Sequence, residues 1–84
     1  MRVQVIEKER ISEKNAHDIR PSDIGKKVIY GDDLYTLIWI SPLPIECFTS
    51  FTASFWYYDI KLSDGTSIHS VDLNVNEELQ FVDI

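Results

Sequence analysis

The stretch that decides the fold is residues 35–58, YTLIWISPLPIECFTSFTASFWYY. It contains eight of the ten aromatic residues of the chain and only one charged side chain, Glu46. The rest of the sequence is dense in charge, so this stretch must supply most of a hydrophobic core. Pro42 and Pro44 divide it, because neither can donate a hydrogen bond to a β-ladder. The sequence therefore predicts two strands, residues 34–40 and 55–62, joined by a long connection.

The size and composition indicate one globular domain. A chain of 84 residues buries about 60–65% of its unfolded surface, which is too little for two separate cores. The composition is 44% hydrophobic and 26% charged, as in ordinary globular proteins. Cys47 is the only cysteine, which favours a reducing, cytoplasmic location. No signal peptide or membrane span is expected, because the apolar runs are short and interrupted.

Charge is distributed unevenly along the chain. Residues 1–27 carry seven of the eight Lys and Arg residues against five acids. Residues 28–84 carry Lys61 alone against nine acids, and the net charge is −6. A nucleic-acid-binding module usually presents a basic face on its folded part, so direct binding to nucleic acid is disfavoured.

Short apolar or alternating runs separated by turn signals predict an all-β domain. Strands are expected at residues 3–5, 26–30, 34–40, 55–62, 67–73 and 80–83. Residues 34–40 are apolar at almost every position, which predicts a strand buried on both faces. Residues 12–19 predict one or two helical turns or an ordered loop. Within a single domain, 1–84, residues 1–20 form an N-terminal strand and connection and residues 21–84 the main sheet.

The Asp64-Gly65 turn allows a prediction of strand register. A two-residue type I′ loop at this position pairs Ile60 with His69. The even-numbered positions of residues 56–62 then share an apolar face with residues 71 and 73. A three-residue loop separates apolar from polar side chains less well, so the two-residue register is predicted.

Five short sequences follow one another along the chain as strand and turn segments. They are IGKKVIY (24–30), YTLI (35–38), YDIKL (58–62), DG (64–65) and ELQFV (78–82). Together they resemble the SH3-like barrel modules common in bacterial and phage proteins. The resemblance covers residues 21–84. It implies a mainly β, small, strongly bent antiparallel barrel of five to six strands, with at most one or two short helical turns, that binds a ligand and is not an enzyme.

The connection of residues 41–54 is the strongest functional candidate. It is longer than antiparallel neighbours need, and loops of this length are often functional. Its apolar side chains fold back as a lid over an open barrel end, form another strand, or meet a protein partner or a second copy of the chain. The candidate partner-binding residues are Leu43, Ile45, Phe48, Phe51, Phe55 and Tyr57.

No catalytic, cofactor or metal site is predicted. His69 has no second ligand at metal-binding spacing and is interpreted as a structural histidine on the inward side of the sheet. His17 is interpreted as solvated, and Cys47 as a small apolar filler. Asp32-Asp33 lacks the spaced oxygen ligands of a calcium loop.

Two classes of function follow. The first is a small non-enzymatic protein-interaction module that uses an apolar and aromatic loop around residues 41–55. The alternative is an acidic inhibitor of phage type that imitates the charge of a nucleic-acid backbone and occupies the basic groove of a nucleic-acid-binding enzyme. Binding of such a decoy weakens steeply with salt, whereas an apolar interface is far less sensitive. The acids available to a decoy are Asp32, Asp33, Asp59, Asp64, Asp72, Glu77, Glu78 and Asp83.

Overall fold

The computed structural model describes residues 10–48 and 54–83, and most of them lie in β-strands. The strands are β1 (Ile11–Asn15), β2 (Lys27–Tyr30), β3 (Asp33–Ile40), β4 (Ile45–Phe48), β5 (Ser54–Ser63), β6 (Ile68–Asn74) and β7 (Glu78–Val82). Two single 3-10 turns, Ala16–Asp18 and Pro21–Asp23, lie between β1 and β2. None of the described residues belongs to a helix long and apolar enough to cross a membrane.

The seven strands form one antiparallel sheet. Its order is β1-β7-β2-β3-β5, and both β4 and β6 pair with β5. Tyr57 of β5 pairs with Ile45 of β4 and with Asn74 of β6, so β4 and β6 lie on opposite edges of β5. Within the described part of the chain no pairing joins β1 to β6, and the sheet is open. The mainly β, antiparallel class is confirmed, with seven described strands, because β4 arises within the predicted connection and β1 arises at residues 11–15, where no strand was predicted.

The hydrophobic core lies on one face of this sheet, which we call the inner face. Leu37 and Ile40 of β3 both belong to the core although they are three residues apart. This is possible because a register shift between Leu37 and Trp39 inserts one extra residue into β3, and such a bulge also bends the strand. The prediction that residues 35–58 supply most of the core is wrong, because only Leu37 and Ile40 of that stretch are among its buried members. These members are Ala16, Ile19, Val28, Leu37, Ile40, Ile60, Leu62, Leu73, Leu79 and Phe81.

The prediction that residues 34–40 are buried on both faces is wrong. Leu37 is fully buried, but Trp39 lies on the opposite face, which we call the outer face, and is 41% exposed. A single bent sheet has only one interior. Apolar side chains on the outer face of β3 therefore remain in contact with water, however strongly the sequence favours their burial.

The predicted register of β5 and β6 is wrong by two residues. Ser63 pairs with Ile68, so a four-residue loop connects the strands. The Asp64 carboxylate stabilises this loop, because it accepts hydrogen bonds from the backbone N–H groups of Thr66 and Ser67, at 2.8 Å each, and from both hydroxyls. A shift of two residues preserves the side-chain alternation, so the predicted apolar face is retained.

The segment before β2 also differs from the prediction. Ile11–Asn15, which overlaps the region of residues 12–19 predicted to form helical turns or a loop, is an edge strand that pairs with β7 from Val82 to Glu78. Only Ala16–Asp18 forms a helical turn there. The sequence does not reveal this strand, because a polar edge strand has little apolar alternation. The strand predicted at residues 3–5 lies outside the described residues.

The second 3-10 turn contains a buried carboxylate, Asp23, which is 1% exposed. It accepts hydrogen bonds from the backbone N–H of Arg20 at 2.9 Å, from Lys26 Nζ at 2.8 Å and from Lys14 Nζ at 2.9 Å. Burial acts to raise the pKa of Asp23, but these hydrogen bonds and the charge of Lys14 lower the pKa from 3.8 to about 2. The cluster thereby joins the β1 edge to the turn before β2.

Candidate functional site

β5 extends beyond the strands that flank it. β6 pairs with β5 from Tyr57 onwards, and β3 pairs with it only from Ile60 onwards. Residues 54–56 of β5 therefore pair with β4 alone, as a two-stranded hairpin, and Tyr57 at its base pairs with both β4 and β6. We call this hairpin with its base, residues 42–48 and 54–57, the arm. Residues 49–53, which connect its two strands, lie outside the described residues.

The arm carries exposed apolar side chains on both of its faces. Alternation along the strands places Ile45 and Phe55 on the outer face, and Phe48 and Trp56 on the inner face. None of the described arm residues belongs to the buried core. The exposed fractions are 73% for Leu43, 39% for Ile45, 75% for Phe48, 37% for Phe55 and 44% for Trp56.

Three of the predicted partner-binding residues come together on the outer face of the arm. Ile45 pairs with Tyr57, and Cys47 pairs with Phe55 on the next row. The rings of Phe55 and Tyr57 are 5.9 Å apart and tilted by 43°. These side chains form a continuous apolar patch, because cross-strand neighbours and residues two apart on one strand share a face.

The other predicted residues lie elsewhere. Phe48 projects from the inner face of the arm, and Leu43 precedes β4. Phe51 lies outside the described residues. Of the alternatives for the connection, its described part forms a strand, β4, and does not fold back over the core.

Charged side chains continue the outer face beside the apolar patch. Asp59 of β5 pairs directly with Asp72 of β6, so two carboxylates project from the same face. Lys61 Nζ lies 3.3 Å from the Asp59 carboxylate, 2.8 Å from Ser70 Oγ and 5.8 Å from the centre of the Trp39 ring. The outer face thus changes along β5 from apolar to acidic, and then to a lysine beside an indole.

Tyr57 lies where the apolar and acidic parts of the outer face meet. Desolvation raises the pKa of its hydroxyl above the ordinary value of 10.0, and the neighbouring carboxylates of Asp72 and Asp59 raise it further. The hydroxyl is therefore protonated at neutral pH and can donate a hydrogen bond beside the two carboxylates.

A groove of about 440 Å³ lies beside Trp39 and was not predicted from the sequence. His17 Nδ1 lies 3.0 Å from the Tyr58 hydroxyl at its wall, and the two rings meet edge to face at 5.5 Å. His17 is exposed, yet it has this specific partner. The contact joins residues 41 positions apart, so sequence spacing alone gives no signal for it. The apolar lining includes Ile19, Ile24, Trp39, Ile40 and Pro42.

His69 is the second residue of β6, next to the loop between β5 and β6. It pairs with Leu62, but it lies at the end of the sheet and its side chain is 46% exposed. Its Nε2 lies 3.0 Å from the Asp64 carboxylate. Hydrogen bonds from His69 and from the Thr66 and Ser67 backbone hold the pKa of Asp64 far below its ordinary value. Among residues 10–48 and 54–83, no three His, Cys, Asp or Glu side chains are placed to hold a metal ion.

Comparison with protein-family models, with curated proteins and with solved structures gives no significant match to this chain. The candidate site is thus defined by its own geometry. Two features characterise it: the exposed apolar faces of the arm, and the paired carboxylates that follow the arm on the outer face.

Proposed function

We propose that the protein is a small non-enzymatic protein-interaction module of the cytoplasm and that the arm is its binding element. The observation that carries the proposal is the exposure of large apolar side chains, above all Phe48 at 75% and Leu43 at 73%. Contiguous exposed apolar surface is uncommon on soluble monomers and typically marks an interface. Aromatic side chains of this kind contribute most of the free energy of many protein interfaces.

The construction of the arm supports the same function. An isolated two-stranded hairpin is only marginally stable in water. β4 pairs with β5 along one edge, and the other edge carries backbone groups without a strand partner among the described residues. A partner that covers the apolar faces of the arm both buries their side chains and stabilises the hairpin.

We also propose that this open, bent sheet is a module of the SH3-like barrel type and that it presents the arm. Gly31 and Asp32 have φ angles of +57° and +69°, which is the geometry of a two-residue type I′ turn between β2 and β3. Such tight turns, together with the bulge in β3, support a strongly bent antiparallel sheet.

An acidic decoy for a nucleic-acid-binding enzyme is the second candidate. Asp32, Asp33, Asp64 and Glu78 lie at one end of the sheet, where β2 and β5 finish and β3 and β7 begin. This clustering favours a decoy. The Asp64 carboxylate, however, is engaged by its own loop, which reduces the charge available to a basic partner.

The double variant Phe48→Ser, Phe55→Ser tests the arm, because it removes one aromatic side chain from each face. We expect it to remain folded and to lose at least about 30-fold in affinity for the protein partner, or for self-association, as expected for interface hot spots. The measurements are capture of the partner from the native cell at low and high salt, followed by titration of the purified partner, and the mass of the purified protein in solution.

The matched control is Ile68→Ser. Ile68 is 65% exposed and lies at the start of β6, away from the arm. The Ile68→Ser variant should bind the partner like the wild type and have the same mass in solution. The proposal is contradicted if the folded double variant binds and assembles like the wild type. If the double variant binds as tightly as the wild type at low salt and both lose binding at high salt, the result would instead support the decoy.

A further inference from the structure

We propose that the outer face of the arm, together with the adjacent part of β6, binds a partner segment that carries a Lys or Arg side chain two residues from an apolar one. This inference rests on the proposed function and specifies the chemistry of the partner. It concerns the patch formed by Ile45, Phe55 and Tyr57 and its border with Asp59 and Asp72.

The two carboxylates at the border of the patch, Asp59 and Asp72, favour a positively charged group in a partner. Asp59 and Asp72 are direct cross-strand neighbours, and like charges in that position destabilise a sheet. Lys61 approaches Asp59 at 3.3 Å and donates to Ser70 at 2.8 Å. In the described part of the chain, Asp72 has no ion-pair partner. A cation supplied by a partner would therefore relieve a repulsion that Lys61 only partly offsets.

The distance between the apolar patch and Asp59 determines the sequence pattern that a partner segment needs. Phe55, Tyr57 and Asp59 follow one another at every second residue of β5, so neighbouring members are about 6.5–7 Å apart. An extended segment that runs along β5 has the same spacing on one of its faces. A basic residue opposite Asp59 then places apolar residues two and four positions away opposite Tyr57 and Phe55.

The overall charge distinguishes a basic partner from a second copy of the chain. The net charge of the protein is −6, so two copies repel each other over long distances. The same charge attracts a basic segment and increases its rate of association. Charge complementarity thus favours a partner of opposite charge on this face.

The experiment is selection from a library of random 12-residue peptides displayed on phage. The immobilised proteins are the wild type, the Asp59→Asn, Asp72→Asn double variant, and Ile68→Ser, which changes an exposed apolar side chain at the start of β6, away from the arm. We expect the wild type and Ile68→Ser to enrich peptides with Lys or Arg two residues from a large apolar side chain. The Asn variant should enrich apolar peptides without that basic preference.

An enriched peptide is then synthesised and its affinity measured by fluorescence anisotropy. The Asn double variant should bind it about tenfold more weakly, as expected for two partly exposed ion pairs, with little change for Ile68→Ser. Peptides without a basic excess, or equal affinity for the Asn variant, overturn this inference and leave the arm proposal standing. Absence of any enrichment also overturns it, and the assembly measurement with Phe48→Ser, Phe55→Ser then decides the proposed function separately.

Discussion

Replacing Asp23 with alanine is expected to lower the free energy of unfolding by about 3 kcal/mol, because hydrogen bonds to a buried charged group are lost together. The carboxylate is 1% exposed and joins the Arg20 backbone to Lys14 and Lys26. The lysine side chains are 34% and 52% exposed, so they can turn to water once the carboxylate is gone. The loss of unfolding free energy should therefore lie at the lower end of the range observed when a buried ion pair is broken. Urea unfolding of the purified proteins measures it.

Two control variants separate the contributions of the cluster. Asp23→Asn retains an acceptor for the Arg20 N–H group and should destabilise less than Asp23→Ala. Lys26→Met leaves Lys14 on the carboxylate and should cost less than about 1 kcal/mol, because the removed pair is half exposed. If Asp23→Ala unfolds at the urea concentration of the wild type, the cluster does not stabilise the fold.

The same residue is expected to make the protein sensitive to acid. The pKa of Asp23 is about 2 in the folded protein, below its ordinary value of 3.8. The ionised Asp23 therefore contributes its full stabilisation at pH values above 3.8, and this stabilisation is lost as the pH falls towards 2. It amounts to about 2 kcal/mol at neutral pH. The Asp64 carboxyl also has a lowered pKa, so the difference between wild type and Asp23→Asn, measured by urea unfolding as a function of pH, isolates Asp23.

Alternation of side chains made the inner face of β5 and β6 predictable even though the loop between them was not. The predicted two-residue turn and the observed four-residue loop differ by two positions, which leaves every side chain on the same face. What the sequence did not indicate is the capacity of one carboxylate, Asp64, to organise a longer loop through several hydrogen bonds. Local side-chain chemistry therefore decided the register.

That two-residue difference also explains why the direct pairing of Asp59 with Asp72 was not predicted. The expected register places Asp59 opposite Ser70, which shows no conflict of charge. The observed register places Asp59 opposite Asp72 and Lys61 opposite Ser70. The direct repulsion between Asp59 and Asp72, from which we infer a basic partner, thus exists only in the observed register.

The sequence identified the arm more readily than the ion cluster. Residues 41–54 are too long and too apolar for a simple connection, and this is visible in the composition alone. The burial of Asp23 depends on Lys14, which lies nine residues earlier on an edge strand that the sequence did not reveal. An aspartate among lysines is usually solvated, so no local pattern indicates a buried one.

Two alanine substitutions on the inner face of β5 should show where the core ends and the arm begins. Ile60 is fully buried in the core, whereas Trp56, four residues earlier on the same face, is 44% exposed. We expect Ile60→Ala to lower the free energy of unfolding by about 3–4 kcal/mol, because it leaves a cavity. Trp56→Ala should cost about 1 kcal/mol or less, although it removes the larger side chain, because no packed surroundings are lost.

Urea unfolding of the two variants checks this contrast, and the result decides whether the arm is free to bind. If Trp56→Ala costs as much as Ile60→Ala, the arm is packed as part of the core and the proposed interface loses its basis. A small loss for Trp56 means that the folded protein does not need this indole for its own stability. Its apolar surface is then available to a partner, whose binding would supply the burial that the isolated fold does not provide.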